Sequence, residues 1–128
     1  MLEKNFQLRV YPTGPVVITF SNTRDQMNHT VAFLVENTKI IVHHNGTEIN
    51  MEASSIKYNA INILEIKYSK TQIVFDRKIQ VLNDFHALKF LSFKSTKHAV
   101  WIVQQSKYLI VDNILNFLNV MVTSNFNH

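Results

Sequence analysis

Along the first hundred residues, apolar and polar positions alternate with a period of two in short runs broken by turn residues, the pattern of antiparallel strands with one face buried. Phe6, Leu8 and Val10 share one side of a segment at Phe6–Tyr11. Pro12-Thr13-Gly14-Pro15 then forces a turn, because the prolines lack an N–H and glycine accepts positive φ. Val16–Phe20 follows as a strand, Asn22–Asn28 reads as a polar loop, and Thr30–Glu36 alternates again with Val31, Phe33 and Val35 on one side.

The sharpest local signal is Ile40-Ile41-Val42-His43-His44-Asn45-Gly46-Thr47-Glu48-Ile49-Asn50-Met51, two alternating segments around Asn-Gly, the preferred pair for a two-residue type I′ hairpin. That turn sets the register, with His44 opposite Thr47, His43 opposite Glu48, Val42 opposite Ile49 and Ile40 opposite Met51. Ile40, Val42, Ile49 and Met51 are therefore expected on the buried face, and His43, Glu48, Asn50 and Glu52 on the other. Farther on, Ile61–Tyr68 changes phase between Ile63 and Leu64, which predicts a bulge. Ser69-Lys70 reverses into Thr71–Asp76, Arg77-Lys78 leads to Ile79–Leu82, and the stretch 83–91 fits either a helix or a strand. Leu91–Lys94 and His98–Gln104 read as a last hairpin through Ser95-Thr96-Lys97.

After Gln105 the period changes to 3.6: Val111, Ile114, Leu115, Leu118, Met121 and Val122 form an apolar stripe, and Asp112, Asn113, Asn116 and Asn119 the opposite one. This spacing predicts an amphipathic helix over 106–122 with Ser106 as its N-cap. The fold expected is then α+β and mostly β: a small antiparallel barrel or sandwich of some seven strands closed by one C-terminal helix. That element order is similar to the pleckstrin-homology-like architecture, an analogy of order alone. The 128 residues contain no internal repeat and no Pro/Gly/Ser-rich seam, so residues 1–128 are expected to form a single domain.

Charge sharpens the picture in the second half. Residues 1–64 carry five basic and five acidic side chains, whereas 65–128 carry eight and four and so hold all of the +4 net charge. Lys67, Lys70, Lys89, Lys94 and Lys97 interleave with Tyr68, Phe90 and Phe93, the combination in which bases stack on rings and lysines follow phosphates. Phe90, Phe93 and Trp101 are more simply core residues, and only three arginines in the whole chain speak against base-specific readout.

Reaction chemistry leaves little trace. No cysteine is present, which excludes disulfides, thiolate nucleophiles, Cys-ligated zinc and iron–sulfur clusters. Gly14 and Gly46 are isolated, so neither a phosphate-cradling loop nor a nucleophile elbow is available. His43 and His44 are adjacent in a strand and point to opposite faces, which disfavours a shared metal, and Glu48 and Glu52 read as a solvated face. No catalytic residue, metal site, cofactor or small-molecule substrate is expected. Two glycosylation triplets, Asn28-His29-Thr30 and Asn45-Gly46-Thr47, read as ordinary turn residues. An N-terminus without an apolar signal core and the lack of any 20-residue apolar run point to an intracellular protein, cytoplasmic or nuclear.

The function expected is a non-enzymatic binding module that holds a protein partner, within a homo- or hetero-oligomer, through an exposed strand edge and a helix face bearing Phe117 and Val120. The alternative is nucleic-acid binding by Lys67, Lys70, Lys89, Lys94 and Lys97, and a third reading lets the same lysines meet anionic lipid.

Overall fold

The computed structural model describes residues 4–21, 31–53, 55–85, 90–104, 110–113 and 120–124. The chain forms β1 (Lys4–Pro12), β2 (Val16–Ser21), β3 (Val31–Glu36), β4 (Lys39–His44), β5 (Thr47–Glu52) and β6 (Asn62–Tyr68). It continues through β7 (Gln72–Phe75), β8 (Ile79–Leu82), β9 (Phe90–Ser95), β10 (Ala99–Gln104), β11 (Ile110–Asn113) and β12 (Val120–Ser124). These make two open six-stranded sheets, one in the order β12-β10-β1-β6-β7-β8 and the other β11-β9-β2-β3-β4-β5. The strand pairs are antiparallel except at one edge of each sheet, where β12 runs parallel to β10 and β11 parallel to β9. From β9 onward consecutive strands change sheet, so every second strand runs the same way, which produces those parallel pairs.

The expected α+β fold with a helix over 106–122 is overturned. Neither sheet closes into a barrel, and no helix occurs among the described residues; Ile110–Asn113 and Val120–Ser124, inside or overlapping the expected helix, are strands. The pleckstrin-homology-like order falls with it. The physical reason lies in composition: Ile110, Val111, Val120, Val122 and Thr123 are β-branched, and the asparagines that made the polar stripe are poor helix formers. Free edges on β9 and β10 supply the backbone partners that β-branched segments favour. Ser106, the proposed N-cap, lies outside the described residues.

Inner faces of both sheets meet in one core, as strict alternation requires in a two-layer sandwich. Phe33 of β3 stacks on Phe75 of β7 at 4.1 Å between ring centres and meets Phe20 of β2 edge-on at 5.8 Å. Phe20 in turn faces Tyr68 of β6 at 6.5 Å, and burial pushes the Tyr68 hydroxyl up to about 12, so it stays un-ionised.

The Asn45-Gly46 hairpin adopts the expected register, with both turn residues at positive φ, 54° and 72°. Its outer strand departs from expectation in one respect: Ile49 faces the core side yet is 50% exposed, because β5 is the last strand of its sheet. The bulge expected at Ile63–Leu64 is absent. β6 pairs with β1 without interruption from Lys4 opposite Tyr68 to Val10 opposite Asn62, placing Asn62, Leu64, Ile66 and Tyr68 inward. Ile61 and Ile63 are outward, 69% and 53% exposed, and a polar residue, Asn62, holds the core position. The last hairpin is a crossover instead, since β9 and β10 belong to different sheets. The helix-or-strand stretch 83–91 ends as strand at Phe90 and Leu91, while 86–89 lie outside the described residues.

Thr38, between β3 and β4, sits at φ 61°, a left-handed conformation disfavoured for a β-branched side chain. The fold imposes it: the Thr38 N–H donates to the Ile56 carbonyl at 2.8 Å and its carbonyl accepts from the Ala53 N–H at 3.0 Å, clamping the turn to the β5–β6 connection. Thr38→Gly keeps both bonds and removes the strain, so urea unfolding is expected to show a gain of about 1 kcal/mol. A loss on that substitution would show that the threonine side chain stabilises the turn.

Candidate functional site

Alternation that fills the core with one set of residues leaves a second set on the outer face of the β11-β9-β2-β3-β4-β5 sheet. Backbone pairing aligns that set in rows across the strands. One row runs Ser92, Thr19, Ala32, His43, Glu48 over β9, β2, β3, β4 and β5. The next runs Lys94, Val17, Leu34, Ile41, Asn50. Five strands at their usual spacing give each row a span of about 19 Å.

An open groove of about 960 Å³ lies on this face. Val17, Ala32 and Leu34 make an aliphatic floor, and polar groups flank it: Thr19, Ser92 and Lys94 toward one side, His43, Thr47 and Glu48 toward the other. Thr19 and His43 are half-buried while Lys94 and Glu48 are exposed, so the charged groups sit at the rims with opposite signs. At one end, the side chains of Asn83 and His44 hydrogen-bond at 3.0 Å (Nδ2 to Nε2), and the His44 ring lies 6.3 Å from that of Phe85. His43 and His44 thus diverge, one into the row and one to the strand end, and among the described residues no group of three metal-ligating side chains converges.

Among the described residues, the sequence-predicted lysines Lys67, Lys70, Lys94 and Lys97 lie on different elements. Lys94 projects from the outer face of β9, Lys67 from the outer face of β6 in the opposite sheet, and Lys70 lies in the turn after β6. Lys97 is in the β9–β10 crossover, its aliphatic stem packed over Gly14, whose neighbour Thr13 donates through Oγ1 to the His98 carbonyl at 2.7 Å. Lys89 and Phe117 lie outside the described residues, and Val120 opens β12 at the sheet edge rather than a helix face. Phe93 is fully buried in the core. Thr19, Ala32, Leu34 and Ser92 were passed over in the sequence because each is ordinary alone; only the neighbour order β9-β2-β3-β4 makes them a surface.

No protein-family model matches the chain, and no curated protein does. Among solved structures the chain is similar to sheep galectin-11 in a complex with glycerol, with a TM-score of 0.54 over 73% of this chain and 91% of that one. What the two share is a β-sandwich. At 8% sequence identity the likeness is one of fold and carries no residue from one chain to the other. Among the described residues no helix is long and apolar enough to cross a membrane.

Proposed function

We propose that the protein acts by binding rather than by catalysis, and that the outer-face groove holds a polyhydroxylated ligand of the saccharide class. The observation that carries this reading is the row Ser92-Thr19-Ala32-His43-Glu48 beside Val17 and Leu34: hydroxyl, imidazole and carboxylate groups around an aliphatic floor. Such a surface offers hydrogen bonds to ligand hydroxyls and apolar contact to the C–H face between them. A sandwich of the same fold taking up glycerol supports it by analogy.

Titration with glycerol and a panel of mono- and oligosaccharides, read by amide chemical shifts, is expected to perturb Thr19, Ala32, His43 and Ser92 together. His43→Ala and Thr19→Val should each weaken binding about tenfold, the worth of roughly one hydrogen bond, and leave the unfolding midpoint unchanged. Saccharides that leave these amides unmoved overturn the reading.

A protein partner is the second reading, favoured by the exposed strand β5 at the edge of the same sheet. The nucleic-acid reading has less support, because Lys67 and Lys94 stand on opposite sides of the sandwich.

A further inference from the structure

Among the described residues the sandwich leaves two outer strand edges without a partner on one side, that of β5 in one sheet and that of β8 in the other, and we infer that these two edges pair with each other between two copies of the chain. The occupant of each edge is then the other edge of a second copy.

Backbone polarity comes first. The two-residue turn makes His44 and Thr47 a hydrogen-bonded pair, so Ile49 and Met51 also aim their amides at β4. Glu48, Asn50 and Glu52 aim theirs at the free edge. On β8, the Asn83 N–H donates to the Thr71 carbonyl at 3.1 Å, which makes Val81 and Ile79 the inward-bonded residues and leaves the amides of Gln80 and Leu82 free. Unpaired rows of this kind are templates for another strand.

Direction comes next. β5 is three antiparallel steps from β2, and β8 three from β1. The connection 13–15 is too short to reach the far end of the sandwich, so β1 and β2, and hence β8 and β5, run oppositely. A two-fold axis parallel to the strands therefore sets β5 antiparallel beside β8 of the second copy and, by the same rotation, β8 beside β5 of the second copy. The contact is isologous and closed.

One register satisfies every face. Ile49 and Met51 meet Val81 and Ile79 of the second copy on the core side, covering the half-exposed Ile49. On the outer side Asn50 meets Gln80, Glu48 meets Leu82 (65% exposed in one copy), and Glu52 meets Lys78. Charge agrees: the charged residues of β5 are Glu48 and Glu52, while Lys78 leads into β8 beside Arg77, which pairs with Glu65 of its own chain at 2.8 Å. Pairing β5 with itself about Asn50 would instead set Glu48 opposite Glu52, like charge on like.

Sedimentation of the full chain across a dilution series is expected to show a reversible dimer. Asn50→Pro removes one free-edge donor without touching the β4 ladder, and should weaken the dimer at least tenfold with an unchanged melting curve. Asn50 and Gln80 lie on opposite outer faces of one copy but opposite each other in the dimer, within disulfide reach. The double variant Asn50→Cys/Gln80→Cys should therefore oxidise to a covalent dimer, and neither single variant should. A monomer at the highest soluble concentration, a dimer indifferent to Asn50→Pro, or cross-linking by Asn50→Cys alone overturns the inference. So does a chain that stays monomeric and fills β5 only when a basic peptide is added.

Discussion

Phe33→Ala is expected to lower the unfolding free energy by about 3–5 kcal/mol, a large part of the roughly 5–15 kcal/mol that holds a domain of this size together. Phe33 has no exposed surface and is the hinge of the aromatic core, stacked on Phe75 across the sandwich and edge-on to Phe20 in its own sheet. Its removal opens a cavity in contact with both layers, where rigid neighbouring strands limit collapse, so the upper half of that range is expected. Urea unfolding read by far-UV ellipticity measures it. Leu82→Ala is the companion: the side chain is 65% exposed, and in a monomer its loss should move stability by no more than about 0.5 kcal/mol. Equal costs at the two positions would mean that the sheets are not packed through Phe33.

Much of the strand content was legible because alternation is a property of single strands. β1 and β2 were readable from Phe6, Leu8, Val10 and Val16–Phe20, and the β4–β5 register from Asn45-Gly46 alone, since a two-residue turn leaves no freedom in the pairing. What alternation does not encode is which strand neighbours which. β9 and β10 follow each other through three turn residues as a hairpin would, yet they separate into different sheets, because the edges of β2 and β1 receive them. The end of the chain was misread for a related reason. Two segments of four and five residues are too short to display their own period, and the spacing from Val111 to Val122 imitated a helix. The candidate groove was hidden by the same gap: its residues come from five strands spread between Val17 and Lys94, and no spacing along the chain links them.

Asn62 shows how a single polar residue misdirected the phase of β6, and it makes the second strong prediction. Read as apolar positions, Ile61 and Ile63 define one face, and the switch to Leu64 demands an extra residue. The fold instead accepts two exposed isoleucines to keep Asn62 inside, where its amide group donates to the carbonyls of Lys57 at 2.9 Å and Ala60 at 3.2 Å, and its Oδ1 accepts from the Lys57 N–H at 2.9 Å. Those bonds hold the connection from β5 that carries the chain from one sheet to the other, so the side chain stands in for the strand partners this loop lacks. Asn62→Ala is expected to cost about 2–3 kcal/mol, from carbonyls and an N–H left without a partner. Asn62→Asp is the sharper test. The carboxylate still accepts from Lys57 but has no proton to donate and is desolvated, so its pKa in the fold must rise above the unfolded value. Stability is then greatest with the carboxyl protonated and falls as pH rises through that raised pKa, a slope the parent protein lacks at this position. Unfolding curves of the two proteins from acid to neutral pH should diverge as pH rises; parallel curves would place residue 62 in contact with solvent.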